Sequence, residues 1–194
     1  MGKSYTEIDE ALARFIRGQS VFFVATAPDD PEGHLNLSPK GLDTLRILDS
    51  KTVAYLDLIG SGVETLAHLK ENGRIVLMFC AFQGSPMVLR LHGRGRVIEL
   101  GNEEFADLAS QFPDHDAKRA IILVQVERIS TSCGYAVPLL KYEGEREQYF
   151  AWARKKGVDG LKTYRREKNR QSIDGLPALE FNEEVEAATG EGQA

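Results

Sequence analysis

Six runs rich in β-branched and aromatic residues most strongly limit the folds open to this chain of 194 residues. Runs of this kind predict β-strands where turn-forming residues bound them. They cover residues 21–26, 34–38, 52–58, 74–82, 87–100 and 120–131. The short helices predicted between them lack the strict strand–helix alternation of a doubly wound sheet. We therefore expect a mainly β protein, a six-stranded antiparallel barrel that is closed or nearly closed, with short flanking helices.

Apolar residues at helical spacing predict three of these helices, at about residues 5–17, 63–71 and 102–112. Ser4 and Glu7 have the spacing of a capping box, which places the start of the first helix just after Ser4. Asn102 is the expected N-cap of the third helix. In the fifth strand, Gly93 and Gly95 predict a bulge or a close approach of another backbone.

The sequence divides into three segments by composition. Residues 1–133 carry the predicted barrel. Residues 134–182 carry two charged helical patterns, at about 145–156 and 161–170, which predict a helical C-terminal extension packed on the barrel. Residues 183–194 lack bulky apolar side chains except Val185 and are expected to form a flexible tail.

The charge balance limits the possible partners of this protein. The chain has 29 acidic and 24 basic residues, a net charge of −5 and a sequence pI near 5.5. A net-acidic chain is a poor match for the phosphate backbone of nucleic acids, so any anion must be bound by a local site. The charged N-terminus is unlike a signal peptide, and no apolar run is long enough for a membrane span. We expect a cytoplasmic protein.

Neither the histidines nor the cysteines form a metal-binding pattern. They lie on separate predicted elements, at His34, His68, His92, His115, Cys80 and Cys133. No pair has the spacing of a metal-binding helix or knuckle, so we expect no metal site. A lone cysteine without a placed base is more simply explained as a structural residue.

A small-residue turn between a strand and a helix is the first candidate site. Gly60, Ser61 and Gly62 follow the strand 52–58 and precede the helix that contains Thr65. Free backbone N–H groups and the positive end of a helix dipole form a phosphate site in such an arrangement, to which a hydroxyl could contribute. The alternative is a tight turn in which Ser61 only caps the helix. Spacing alone does not decide between the two.

The second candidate site is the end of the predicted strand 34–38. Lys40 would supply the positive charge that a phosphate needs, and Ser38 would supply a hydrogen bond. The alternative is an ordinary strand end with a solvated lysine.

The order of these segments resembles the pyridoxamine 5′-phosphate oxidase-like family of FMN-binding split barrels. The resemblance covers about residues 5–131 and rests on VFFVATA, HLNLSPKG, VAYLDLIGSGVETLAHLKENGRIVLMFCAF and MVLRLHGRGRVI. The tail, with CGYAVPLLKYEGERE and KNRQSIDGLP, is similar to a subgroup known only as related FMN-binding proteins. The family implies a homodimer with two FMN molecules at the subunit interface.

The resemblance also implies cofactor contacts. The strand that ends in lysine would contact the isoalloxazine ring and the ribityl chain, with Lys40 near the pyrimidine end of the ring or on the phosphate or ribityl chain. Arg90 would contact the flavin from the far wall. The matching positions are Asn36, Ser38, Pro39 and Lys40, then Leu56 and Asp57, then Gly60, Ser61, Gly62, Val63 and Thr65, and finally Arg90.

Three features of the family are absent here. The Arg-Lys pair that follows the serine in true pyridoxamine phosphate oxidases is replaced by Gly62 and Val63, and an arginine five residues before Lys40 is replaced by Leu35. The phosphate would then be bound by backbone amides, Ser61, Thr65 and Arg74 or Arg90. The family's C-terminal substrate signature is not recognisable, so oxidation of pyridoxamine phosphate itself is not expected.

Three functional hypotheses follow from the resemblance. The first is an FMN-dependent oxidoreductase that acts on an unknown small substrate. The second is a non-catalytic flavin-binding or flavin-buffering protein. The third is a haem-binding split barrel in which His34, His68 or His92 would bind iron.

Overall fold

The computed structural model describes residues 2–181, which form eight strands and four helices. The strands are β1 Ser4–Tyr5, β2 Phe22–Thr26, β3 Asn36–Lys40, β4 Leu45–Ile47, β5 Thr52–Leu58, β6 Arg74–Cys80, β7 Val88–Glu99 and β8 Lys118–Ser132. The helices are α1 Glu10–Arg17, α2 Glu64–Glu71, α3 Glu103–Ala109 and α4 Gln148–Lys168. All six predicted strands are present. The two additional strands, β1 and β4, have two and three residues, too few for an alternating pattern to reveal them.

The strands form one curled antiparallel sheet in the order β3-β2-β6-β7-β8-β5-β4, with β1 paired to β8. The central strands β7 and β8 are the longest, with 12 and 15 residues. Their register shifts between His92 and Gly93, which confirms the predicted bulge. A Cβ at Gly93 would collide with the backbone oxygen of Gln125, so the close backbone approach requires glycine here.

The sheet does not close by backbone pairing, because β3 and β4 are its two edges. Side chains span the remaining gap: Lys40 of β3 contacts Asp57 of β5, and Asn36 of β3 contacts Thr65 of α2. The molecule is therefore a half-closed barrel whose gap is lined by β3, β5 and α2. The concave face holds the main core, which includes Val24, Leu77, Leu91 and Val124, all fully buried.

The first helix begins later than its capping-box pattern predicts. Asp9 is the N-cap, and its carboxylate accepts a hydrogen bond from the amide of Leu12 at 2.8 Å. Ser4 lies instead in β1, where it pairs with Ser130 of β8. The prediction of a helix from residue 5 was wrong, because Asp9 caps equally well and the long β8 strand offers Ser4 and Tyr5 a pairing partner.

The C-terminal extension contains two helical segments, as the sequence predicts, and α4 spans both of them. Gly157 interrupts α4 with a left-handed backbone (φ 64°), so the two patterns lie on either side of a kink. Ala153 and Leu161 of α4 pack against Ile59 and Ala117 of the sheet region. The predicted tail at 183–194 lies outside the described residues, and the division at residue 133 stays a prediction.

Candidate functional site

A row of polar side chains on β3 faces the gap in the sheet. Asn36, Ser38 and Lys40 alternate along the strand with exposed residues, of which Pro39 is one. Asn36 donates to Thr65 Oγ1 of α2 at 2.9 Å, and Ser38 donates to Asn36 Oδ1 at 2.8 Å. Because β3 is an edge strand, one side of its backbone has no strand partner and is open to a ligand.

A buried carboxylate joins the two cations nearest to the gap. Asp57 is fully buried, and its two oxygens accept from Lys40 Nζ at 2.9 Å and from the Arg119 guanidinium at 2.7 Å. Burial alone would raise the pKa of Asp57, but the positive charges of Arg119 and Lys40 outweigh it and lower the pKa below its ordinary value. With Asp57 ionised, the three groups carry two positive charges and one negative charge. The cluster therefore has a net positive charge.

The loop between β5 and α2 is held by its carbonyl groups. Tyr149 donates to the oxygen of Ile59 at 3.0 Å, and Asn169 donates to the oxygen of Gly60 at 2.9 Å. Arg119 donates to the oxygen of Gly62, also at 2.9 Å. Three carbonyls of this short loop are thus turned toward the body of the protein.

The same bonds turn three amides of the loop outward. In a trans peptide the C=O and the following N–H point in opposite directions, and the described chain has no cis peptide bonds. The N–H groups of Gly60, Ser61 and Val63 must therefore point away from Tyr149, Asn169 and Arg119. Ser61 and Gly62 are exposed.

The start of α2 also lacks a side-chain cap. Its N-cap is Val63, which makes no side-chain capping bond, so the alternative in which Ser61 caps the helix is not observed. The uncapped amides add to the outward donors of the loop, a combination that favours an anion. One feature opposes it: the carboxylate of Glu64 extends toward Gly62 and accepts from the amide of Ile173 at 3.3 Å.

Behind the polar row lies a buried hydrogen-bonded chain. Thr26 contacts both Asn36, at 3.1 Å, and Nδ1 of His68, at 3.0 Å. Burial lowers the pKa of His68, and its Nε2 is buried without a hydrogen bond. The hydroxyl of Tyr55 is likewise buried without one. These groups make the interior beside the gap unusually polar.

The structure brings most of the predicted site residues together, with two exceptions, Pro39 and Arg90, which share the opposite face of the sheet. Asn36, Ser38, Lys40, Asp57, Thr65 and the loop 60–63 all border the gap, with Leu56 and Val63 buried so that they offer only backbone. Arg90 does not face the gap. Its pairing row runs through Met78, Phe23 and Pro39, which puts it on the opposite face of the sheet from Lys40, and it contacts Ser132. A role for Arg90 in cofactor binding stays a prediction.

Sequence reasoning missed three residues that shape the loop. Arg119, Tyr149 and Asn169 come from β8 and from the start and end of α4. Asn169 lies in a polar, turn-rich segment of the sequence with Ser172 and Asp174, and such a segment is a signal for side chains that satisfy backbone groups. Asn169 does satisfy a backbone group, the oxygen of Gly60. Only the folded chain shows that Arg119 lies beside Asp57.

The histidines lie in three different surroundings. His34 is exposed and paired with Asp174, His68 is buried, and His92 is half-buried on β7. Within residues 2–181, no group of three His, Cys, Asp or Glu side chains is arranged to hold a metal ion. None of the helices in this part of the chain is both long and apolar enough to cross a membrane.

A half-closed antiparallel barrel with an uncapped helix at its gap defines a split-barrel protein. Residues 8–133 match the family model described as pyridoxamine 5′-phosphate oxidase. The family protein ustO of Aspergillus flavus is 33% identical over 194 residues, covering 90% of this chain and 77% of ustO. The chain belongs to the pyridoxamine 5′-phosphate oxidase family.

Solved structures are similar over the barrel. A variant of HupZ from Group A Streptococcus has a TM-score of 0.51 and 25% identity, covering 64% of this chain and 99% of HupZ. A Lactobacillus delbrueckii protein provisionally assigned as a pyridoxamine 5′-phosphate oxidase has a TM-score of 0.51 and 15% identity, covering 64% of this chain and 94% of that protein. The second similarity supports the split-barrel fold alone.

Proposed function

We propose that the protein binds FMN at the gap in its barrel and acts as an FMN-dependent oxidoreductase on a small substrate. One observation supports this most strongly: three carbonyls of the loop 59–62 are bonded to the body, so that the loop presents outward amides beside the uncapped start of α2. Membership of the pyridoxamine 5′-phosphate oxidase family makes a flavin phosphate the natural anion for this position.

The residues present fit a phosphate without the family's Arg-Lys pair. The outward amides of Gly60, Ser61 and Val63 supply neutral donors, and the net charge of the Lys40–Asp57–Arg119 cluster supplies the attraction. The Glu64 carboxylate must stay turned toward Ile173 when the phosphate binds, because two anions at one helix start repel each other. The free edge of β3 offers backbone groups to the flavin ring.

Bound FMN would supply the two-electron transfer that the side chains cannot perform. The chain's own residues orient the cofactor and adjust its electrostatics. Lys40 is proposed to place a positive charge beside the ring, and Asp57 holds Lys40 in position with a fully buried carboxylate. The polar row of Asn36 and Ser38 fixes the backbone of β3 against α2.

We also propose that the active form is a homodimer with FMN at the subunit interface. Leu37 on the edge strand β3 and Leu35, which immediately precedes the strand, are strongly exposed. Exposed apolar side chains on an edge strand are typical of a surface that pairs with another chain. A second copy would cover these leucines and shield the flavin from water.

The absorbance spectrum and an FMN titration of the purified protein test cofactor binding. We expect flavin bands, and quenching of FMN fluorescence on binding. Ser61→Ala should weaken the affinity by about tenfold, because it removes a hydroxyl donor to an anion. Ser50→Ala, at the opposite end of β5 and exposed, is the matched control and should leave the affinity unchanged.

Four outcomes would contradict parts of the proposal. A protein that neither retains nor rebinds FMN would overturn it, and a Soret band would indicate haem. An unchanged affinity in Ser61→Ala would exclude Ser61 from the phosphate site. If FMN binds but is bleached under anaerobic conditions neither by NADH or NADPH nor by small alcohols and amines, non-catalytic flavin binding becomes the better interpretation.

A further inference from the structure

His34 and Asp174 form a side-chain pair that connects two distant parts of the described chain. The carboxylate of Asp174 contacts His34 twice, at 2.6 Å from Oδ1 to Nδ1 and at 2.8 Å from Oδ2 to the backbone N–H. The two residues are 140 positions apart in the sequence. Because both carboxylate oxygens are engaged, the imidazole ring has one defined orientation.

The two partners differ in exposure. The side chain of Asp174 is 18% exposed, whereas that of His34 is 70% exposed. The hydrogen bonds from His34 hold the pKa of Asp174 below its ordinary value, so Asp174 is an anion at neutral pH. An ionised carboxylate cannot donate a proton, so Nδ1 of His34 must carry the hydrogen. In the neutral ring, the lone pair is then on Nε2, the nitrogen that faces away from Asp174.

The turn that carries Asp174 is held in a fixed shape. The amide of Ser172 donates to the oxygen of Leu176 at 2.9 Å, and the amide of Leu176 donates to the hydroxyl of Ser172 at 3.1 Å. Gly175 allows this turn because its backbone is left-handed (φ 78°). A carboxylate on such a turn is oriented in advance, as a positioning group must be.

The pair also borders the proposed cofactor site. His34 stands two residues before Asn36, just ahead of the start of β3. The amide of Ile173, next to Asp174, is bonded to Glu64 at the start of α2. The adjoining residue Thr65 is bonded to Asn36 of β3. These contacts form a ring that joins the pair, α2 and β3 around one end of the gap.

We propose that His34, positioned by Asp174, is the residue that accepts a proton from the substrate at this site. The proposal rests on the proposed flavin function. The substrate would be an alcohol or an amine, in which a hydride leaves the carbon for the flavin while the proton of the adjoining O–H or N–H moves to His34 Nε2. The substrate thereby loses two electrons and two protons: the hydride carries both electrons and one proton to the flavin, the second proton moves to His34, and the C–O or C–N single bond becomes a double bond. No other described histidine combines an exposed ring with a fixed carboxylate partner.

Nitrogen NMR of the ring tests the positioning without any cofactor. The neutral wild-type ring should carry its hydrogen on Nδ1. Asp174→Asn should shift the population toward the form with hydrogen on Nε2, because the acceptor that holds Nδ1–H is weakened. A wild-type ring with hydrogen on Nε2 would overturn the proposal.

Chemical modification tests the position of the ring relative to the cofactor. Diethylpyrocarbonate acylates a free imidazole nitrogen, and mass spectrometry measures the rate at His34. We expect saturating FMN to slow this reaction while the exposed Lys51, at the far end of β5, reacts at an unchanged rate. Asp174→Asn should slow the reaction without FMN, since fewer rings then have a free Nε2.

The outcomes separate this proposal from the cofactor proposal. If FMN binds and His34 reacts at an unchanged rate, the pair lies away from the site and the inference is wrong, while the flavin function stands. If His34→Gln loses FMN affinity, His34 is a cofactor ligand and not a proton acceptor. If FMN does not bind at all, the flavin function fails and the inference fails with it. Normal FMN affinity in His34→Gln, together with FMN shielding of wild-type His34, supports the proposal.

Discussion

At the scale of single residues, Asp57 connects stability to the candidate site. It is fully buried, and both of its oxygens are used by cations that border the gap. One of these cations, Arg119, is only 3% exposed and also binds the oxygen of Gly62. The carboxylate therefore holds the loop indirectly, through Arg119, and holds Lys40 directly.

We expect Asp57→Asn to destabilise the protein by about 3–5 kcal/mol, because it leaves a buried guanidinium without its counter-charge. Urea unfolding at about pH 7 measures this loss. Asp107→Asn, an exposed carboxylate on α3, is the control and should change stability by less than about 0.5 kcal/mol. If Asp57→Asn loses no more stability than this control variant, the prediction is contradicted.

The same group predicts how the wild type responds to acid. The folded-state pKa of Asp57 lies below the ordinary value of 3.8. Its contribution is therefore complete above pH 3.8, and it is lost as the pH falls further, through the folded-state pKa. The difference in stability between the wild type and Asp57→Asn should accordingly narrow in acid.

Single residues were predictable where their local sequence was distinctive. Lys40 at the end of a strand and Ser61 in a small-residue turn could both be selected as border residues of a site. Arg119 could not, because its partner Asp57 is 62 residues away and nothing near Arg119 distinguishes it from other strand arginines. Its role depends on the pairing of β5 with β8, a contact that local patterns do not encode.

At the scale of elements, two glycines are expected to respond to substitution in opposite ways. Gly93 in the sheet has no room for a side chain, whereas Gly160 in α4 has room for one. Gly93→Ala should cost about 1–3 kcal/mol, because its Cβ would meet the backbone of Gln125 at the bulge between β7 and β8. Gly160→Ala, in α4, should instead stabilise by up to about 1 kcal/mol, because its Cβ makes only ordinary contacts with Lys156. Thermal unfolding measures both effects: the melting temperature should fall in Gly93→Ala and rise in Gly160→Ala. Equal changes of melting temperature in the two variants would contradict the prediction.

Elements were predicted well where their own residues determine them. The six longer strands, the cap at Asn102 and the bulge at Gly93 all follow from local chemistry. The start of α1 did not follow, because two acceptable caps compete and the pairing of β1 with a distant strand decides between them. The location of α4 against Ile59 was likewise not readable from its helical pattern.

At the scale of the whole molecule, the acidic net charge and the proposed anion site are compatible. The chain carries −5 overall, yet the Lys40–Asp57–Arg119 cluster is positive and lies beside outward amides. The anion is therefore attracted only at short range, after an approach against a negative overall charge. The half-closed barrel makes such a local site possible. At the gap, the strands are joined by side chains and bordered by a loop, because backbone hydrogen bonds do not join the two edges of the sheet.

The last prediction concerns the assembly. Leu37 on the edge strand β3 and Val158 on α4 are both 66% exposed, so a lysine at either position is equally easy to solvate. If β3 forms the dimer surface, the wild type should have twice the 21.5 kDa mass of the chain by light scattering. Leu37→Lys should then give the monomer mass and lose FMN, because a charge on this strand opposes pairing with a second copy. Val158→Lys should remain dimeric with FMN bound. A monomeric wild type, or a Leu37→Lys dimer that still binds FMN, would show that β3 is not the interface.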